Sequence, residues 1–190
     1  MDPLSTRLRI TPDVQRYAVS HTASHSLDLP LRYYSRPMVK LELKSSHELA
    51  QWLPSKKDEY IAERVKAGED PDVAQRMSDS QFAELFPDGS PADGQHVMNV
   101  IDDEEIVGTL WMGRPFSRDA NAWYIFDIEI AKDFRGRGHG RAAMEAAEEW
   151  TRERGGTRVA LNVFGPNLVA RSLYDSLGYE VLATSMFKDV

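Results

Sequence analysis

The sequence predicts an α/β domain of the α+β kind, in which helices flank a mixed, mostly antiparallel sheet. Two observations carry that expectation. Three β-rich segments, Gln95 to Ile101, Glu105 to Met112 and Ala122 to Ala131, follow one another through short connections, which makes them antiparallel neighbours. The last of them runs through a glycine loop into a helix and then into Thr157 to Phe164, which a right-handed helical crossover sets parallel to it.

Taken in order, residues 1 to 37 show little apolar periodicity and four prolines, and they read as an appended N-terminal extension, leaving 38–190 as the domain. Val39 to Lys44 alternates apolar and charged residues, a half-buried strand. Ser45 with Glu48 is a capping-box pair, so a helix follows through Leu49, Trp52 and Leu53, with Pro54 expected to interrupt it. Ser55 and Asp58 start a second helix that stops at Gly68, and Asp70-Pro71 starts a third that ends at Pro87. The acidic turn Asp102-Asp103-Glu104 joins the two arms of a hairpin, and residues 113 to 121 form a loop. After the glycine loop, Ala142 to Arg154 carries Ala143, Ala146, Ala147 and Trp150 at helical spacing. A last helix starts at Gly165-Pro166-Asn167 and stops at Gly178, after which Tyr179 to Ala183 and Ser185 to Lys188 are expected to finish the sheet.

At 190 residues the chain has the size of one domain with a real core. It has no cysteine, which excludes disulfides, thiolate catalysis and Cys-ligated zinc, and its five histidines lack metal-ligand spacing, so no metal is expected. The formal net charge of -7 argues against general nucleic-acid binding. No apolar run approaches the roughly 20 residues that span a bilayer, and no signal peptide opens the chain, so no membrane partner and a cytoplasmic location are expected.

The chemistry concentrates between Ile125 and Arg141. A strand leading through a glycine loop into a helix presents unpaired main-chain N–H groups and the positive helix end to a phosphate. Gly136, Gly138 and Gly140 allow positive φ and close approach, while Arg135, Arg137 and Arg141 add cationic donors; with His139 among them, the loop reads as a diphosphate cradle. Asp127 and Glu129 share one face of the preceding strand, opposite Ile128 and Ile130. If that face lines a cleft, one of these carboxylates is placed to bind a cationic group and accept a proton; otherwise both face solvent or pair with arginines.

Arg135-x-x-Gly138-x-Gly140, between a strand and a helix, resembles the pyrophosphate-binding motif of the Gcn5-related N-acetyltransferase (GNAT) superfamily. Leu161 to Glu180, with Asn167, Ala170, Leu173-Tyr174 and Gly178-Tyr179, is similar to that superfamily's second motif, in the right order and at the usual separation. The resemblance covers about residues 39 to 188. Tyr60-Ile-Ala-Glu, Asp72-Val-Ala and Phe82 to Pro87 also look like a group of bacterial small-molecule or peptide acetyltransferases within it.

The resemblance implies a GNAT fold, its sheet splayed open at the central strands, with acetyl-CoA as co-substrate in the opening. It implies that the pantetheine arm pairs with backbone groups of Ile128 and Ile130 and hydrogen-bonds Asn167, and that the pyrophosphate sits on amides from Arg137 to Arg141. It further implies direct acetyl transfer to a primary amine of a small molecule or peptide. Tyr174 stands at the position of the general acid, and a main-chain amide near Ile130 serves the oxyanion. Homodimers are common among members. Two alternatives stand beside this expectation. Gly138-x-Gly140-x-x-Ala143 also fits a dinucleotide fingerprint, but Thr157 to Gly165 lacks the acidic residue that reading wants. A non-catalytic acyl-CoA-binding regulatory domain on the same fold is the second, because fold and cofactor do not establish turnover.

Overall fold

Alternation and turn chemistry build most of the sheet. The computed structural model describes residues 37–114, 121–184, 186 and 188; the N-terminal extension apart from its last residue, most of the 113–121 loop and half of the 185–188 strand expected from sequence lie outside them. Among the described residues the strands are β1 (Lys40–Leu43), β2 (Gln95–Asp102), β3 (Glu105–Gly113), β4 (Ala122–Ile130) and β5 (Arg158–Leu161), in the spatial order β1-β2-β3-β4-β5. The first three pairings are antiparallel and β4–β5 is parallel. Asp103 (φ 46°) and Glu104 (φ 70°) both take left-handed backbone at the β2–β3 turn, which matches the twist of a two-residue hairpin.

The helices are α1 (Ser46–Lys66), α2 (Pro71–Leu85), α3 (His139–Glu153) and α4 (Leu168–Ser176). Ser45 and Glu48 form the expected capping box and Asp70 caps α2. Pro54, however, does not divide α1. It lies on the exposed side of the helix, as does Ala50, whose carbonyl loses its partner and can turn to water, while Trp52 and Leu53 pack inward beside it. The helix after the glycine loop begins at His139, three residues earlier than its apolar spacing indicates, because glycine and histidine carry no helical periodicity.

Two apolar layers cover the sheet. Met98, Val100, Leu110, Met112, Trp123 and Ile125 pack with Ala143, Met144 and Ala147 of α3 and Tyr174 of α4. On the other face Val97 and Trp111 pack with Leu49, Phe82, Leu85 and Phe86.

Two irregularities shape β4. The β3–β4 register slips between Trp111, which faces Asp127, and Met112, which faces Ile125, so Phe126 is an extra, bulged residue. The parallel pairing with β5 covers only Ala122 to Ile125. Beyond Ile125, β4 therefore keeps β3 on one side and, among the described residues, has no strand on the other. This is the splay that the resemblance implies, and β5 is shorter than expected because it ends at Leu161 instead of continuing to Phe164.

The expected strand from Tyr179 to Ala183 is not formed. Val181 and Leu182 are adjacent and exposed by 73% and 82%, so neither face of an extended segment is buried, and β-propensity without burial stabilises little.

The edge segment of β4 depends on a close approach by β3. A Cβ at Gly108 would stand 2.3 Å from the Glu129 main-chain oxygen. We expect Gly108→Ala to lower unfolding free energy by about 1–3 kcal/mol, an overpacking cost, measured by urea denaturation; an unchanged midpoint would contradict the packing described.

Candidate active site at the open edge of the fourth strand

The Ala131 N–H donates to the Val107 carbonyl at 2.9 Å, so by the two-residue period of a strand the backbone groups of Ile130 and Ile128 point away from β3, toward the open edge. The Ile130 carbonyl is engaged: Arg135 Nε donates to it at 2.7 Å. The same guanidinium reaches Glu129 Oε1 at 3.3 Å. Arg135 thus folds back over the end of β4.

The glycine loop follows directly. Gly136 (φ 73°) and Gly138 (φ 93°) occupy the left-handed region, and Gly138 is the N-cap of α3. A glycine cap has no side chain to satisfy the first amides of the helix, and the first helical bond runs from the Ala142 N–H to the Gly138 carbonyl at 3.1 Å. The amides of His139, Gly140 and Arg141 precede that bond, so their N–H groups lie where an external acceptor is served. Arg141 donates to the Ser176 hydroxyl of α4 and Arg137 lies 5.7 Å from the centre of the Phe134 ring. Asn167 caps α4, its Oδ1 accepting from the Ala170 N–H at 3.2 Å, and its amide nitrogen keeps its donors.

On the opposite side of β4 the bulge at Phe126 lets Phe126 and Asp127 line one small cavity of about 60 Å³, with Lys56, Glu59, Tyr60 and Glu63 of α1. Lys56 Nζ stands 2.7 Å from Glu59 Oε2, 3.1 Å from Asp127 Oδ1 and 3.9 Å from Glu129 Oε2. One ammonium among these carboxylates leaves the cluster net negative. Burial works against the Lys56 charge, but Asp127 and Glu59 more than offset it and raise its pKa. Burial also pushes the Asp127 carboxyl up against the pull of Lys56, and its Oδ2 has no hydrogen-bond partner among the described residues. Glu63 is raised by burial as well. Asp127 and Glu129 share a face, as expected from the strand period; Glu129 pairs with Arg135, whereas Asp127 pairs with Lys56 and not with an arginine.

Tyr174 projects from α4 on the other side of the open edge, 9% exposed, with the Tyr179 ring at 5.7 Å. Burial, and then the charge of Asp127, raise its phenol pKa. The structure thus brings the glycine loop, the β4 edge, Asp127 and Tyr174 to one end of the sheet. A cavity of about 1040 Å³ between β5, α3 and α4 has Tyr174 among its lining residues but none of the glycine loop. Among the described residues no helix is long and apolar enough to cross a membrane, and no cluster of three metal-ligating side chains occurs.

Sequence reasoning missed Lys56, Glu59 and Glu63, reading that helix mainly as packing. Their spacing, i, i+3 and i+7, was the available signal for one helical face.

The chain thus sets a five-stranded sheet, open along the second half of β4, over the glycine-capped N-terminus of α3. The model of the acetyltransferase (GNAT) family matches residues 49–179, and the chain belongs to that family, whose class is that of the N-acetyltransferases. It is 29% identical over 145 residues to YycN of Bacillus subtilis (strain 168), an uncharacterized N-acetyltransferase, covering 75% of this chain and 93% of YycN. A second uncharacterized N-acetyltransferase of that organism, YdgE, is 28% identical over 114 residues, covering 60% of this chain and 73% of YdgE. The crystal structure of YycN superposes with a TM-score of 0.73 at 28% identity, covering 80% of this chain and 99% of that one. The aminoglycoside N-acetyltransferase AAC(6')-Iy, solved in complex with CoA, shares the fold at a TM-score of 0.50 and 14% identity, over 81% of this chain and 95% of that one.

Proposed function

We propose that the protein moves an acetyl group from acetyl-CoA directly to a primary amine of a cationic small molecule or peptide. The observation that carries this reading is the placement of uncapped amides at the start of α3 beside a strand edge that has lost its neighbour. The loop amides from Arg137 to Arg141 hold the diphosphate of the co-substrate, and the outward backbone groups of Ile128 and Ile130 receive its pantetheine arm as an added strand. The Arg135 side chain must then leave the Ile130 carbonyl or share it. Asn167 offers its amide donors to the same arm.

An aliphatic amine is mostly protonated near neutral pH, with a pKa of about 10 by analogy with lysine, so it must lose a proton before it attacks. Asp127 takes that proton, directly or through water. The amine nitrogen then bonds to the thioester carbon, and a main-chain amide near Ile130 steadies the oxyanion. As the carbon–sulfur bond breaks, Tyr174 gives its proton to the sulfur, leaving an amide and free CoA thiol. The surplus of carboxylates around Lys56 supports a cationic acceptor, drawn in by their field.

The test is release of free thiol from acetyl-CoA with polyamines, aminoglycosides, amino acids and peptide amines. We expect turnover with polycationic amines at rates that fall as salt rises. Binding heat with acetyl-CoA but no thiol from any amine would favour the regulatory reading; no heat with any acyl-CoA would remove the assignment of the loop.

A further inference from the structure

His139 is the first residue of α3, between two glycines of the loop, yet its side chain is only 6% exposed. Nδ1 lies 2.9 Å from the Phe134 carbonyl oxygen and Nε2 lies 2.9 Å from Asp102 Oδ2. A main-chain carbonyl only accepts, so Nδ1 donates; the contact between Nε2 and a carboxylate oxygen then needs one further proton between ring and acid. The ring also meets Phe134 edge-on, with centroids 5.8 Å apart and planes at 88°.

These contacts close the loop on itself. Phe134 precedes Gly136 and Gly138, His139 follows these two, and Asp102 belongs to the β2 end of the hairpin, which is paired through β3 to β4. The backbone between the two ends contains the left-handed glycines 136 and 138, the residues with the greatest freedom to leave a fixed shape. A phosphate needs the opposite: amides already aimed, so that no ordering cost is taken from binding.

The geometry points to His139, held by Asp102, as a positioning residue that fixes the amides from Arg137 to Arg141 before the diphosphate arrives. This inference rests on the reading of the loop as the diphosphate site. The imidazole does not touch the ligand; only the main-chain amide of His139 does. Asp102 acts one step further out, through the ring.

The test uses the full chain and the variants His139→Leu, Asp102→Asn and the double variant. Hydrogen exchange over residues 134–141 in the free protein reads the loop directly, calorimetry with CoA reads affinity, and initial rates with an accepted amine separate KM from kcat. His139→Leu is expected to speed loop exchange and to weaken CoA by roughly tenfold, the size of a lost buried hydrogen bond. KM for acetyl-CoA rises by the same factor, with kcat at saturation within about twofold. Asp102→Asn, at a side chain 24% exposed, shifts all three in the same direction by less, and the double variant is no worse than His139→Leu because the two act as one unit. If His139→Leu does not fold, Asp102→Asn decides the matter. Unchanged exchange and CoA affinity in the folded variants would overturn the inference, as would equal losses in kcat and kcat/KM. Failure of the wild-type protein to bind CoA would overturn the site assignment instead, and the exchange data would still judge whether His139 orders the loop.

Discussion

Tyr174→Phe is expected to slow acetyl transfer about 10²-fold while leaving the dissociation constant for acetyl-CoA within about threefold. The substitution removes one oxygen and keeps the ring that packs with Met98, Ile125 and Ala143 in the apolar layer under the sheet. What is lost is the proton. A departing thiolate is a poorer leaving group than a thiol, and a phenol beside it can supply the difference without moving charge far. Its surroundings suit that duty: burial, reinforced by the negative Asp127, raises the phenol pKa and so holds the hydroxyl in its neutral, proton-bearing form more firmly than a free phenol. The two groups are complementary. Asp127 must be ionised to take a proton and Tyr174 must be neutral to give one, and the charge on the first helps keep the second neutral. Single-turnover thiol release and calorimetry on the same preparation separate the two quantities. Full activity in the phenylalanine variant would remove the role, and a parallel loss of acetyl-CoA affinity would reduce Tyr174 to a packing residue.

The elements legible in the sequence are those whose signal is local. Ser45 with Glu48, Asp70 with Pro71, and the acidic pair at the tip of the β2–β3 hairpin each specify a boundary within four residues, and each boundary forms. The glycine loop is local in the same sense. The features that escape are set by what lies elsewhere in the fold. Whether Pro54 breaks a helix depends on which side of α1 faces solvent, and that is decided by the packing of Trp52 against Phe86 and Trp111, with ring centroids 6.0 and 5.8 Å away. The bulge at Phe126 has no residue signature; it is a slip between β3 and β4. Its consequence is large, because it places Phe126 and Asp127 together in the cavity with Lys56, whereas strict alternation separates them. The partnership of His139 with Asp102, 37 residues earlier in the chain, is likewise a product of topology: α3 packs across the sheet against β1 as well as β4, which brings its start to the end of β2.

Asp127→Asn should separate the two carboxylates that share a face of β4, and it should do so in opposite senses for rate and stability. Kinetically, we expect kcat to fall about 10²-fold, the usual contribution of a general base. Glu129→Gln should cost far less, since Glu129 is 47% exposed and paired with Arg135. The pH profile supplies the sign. Burial raises the Asp127 pKa, and the base works only when ionised, so in the wild-type enzyme kcat/KM should climb with pH through a value above the ordinary aspartate range of about 4; the Asn variant should lose that limb. For stability, a carboxyl whose folded pKa is raised contributes most below its unfolded value, and that contribution is lost as pH rises through the folded one. At neutral pH the folded protein therefore carries an ionised Asp127 at a cost, one buried oxygen of which has no partner among the described residues. An amide there removes that cost; the partly buried Lys56 ammonium loses the charge that does most to support it and keeps Glu59 at 2.7 Å. The melting temperature of Asp127→Asn at pH 7 should equal or exceed that of the wild type, with the gap narrowing as pH drops toward 4. A variant that melts lower and turns over normally would make Asp127 the structural partner of Lys56 and nothing more. A variant that melts higher and turns over slowly would identify a charge held in place for the reaction at the expense of the fold.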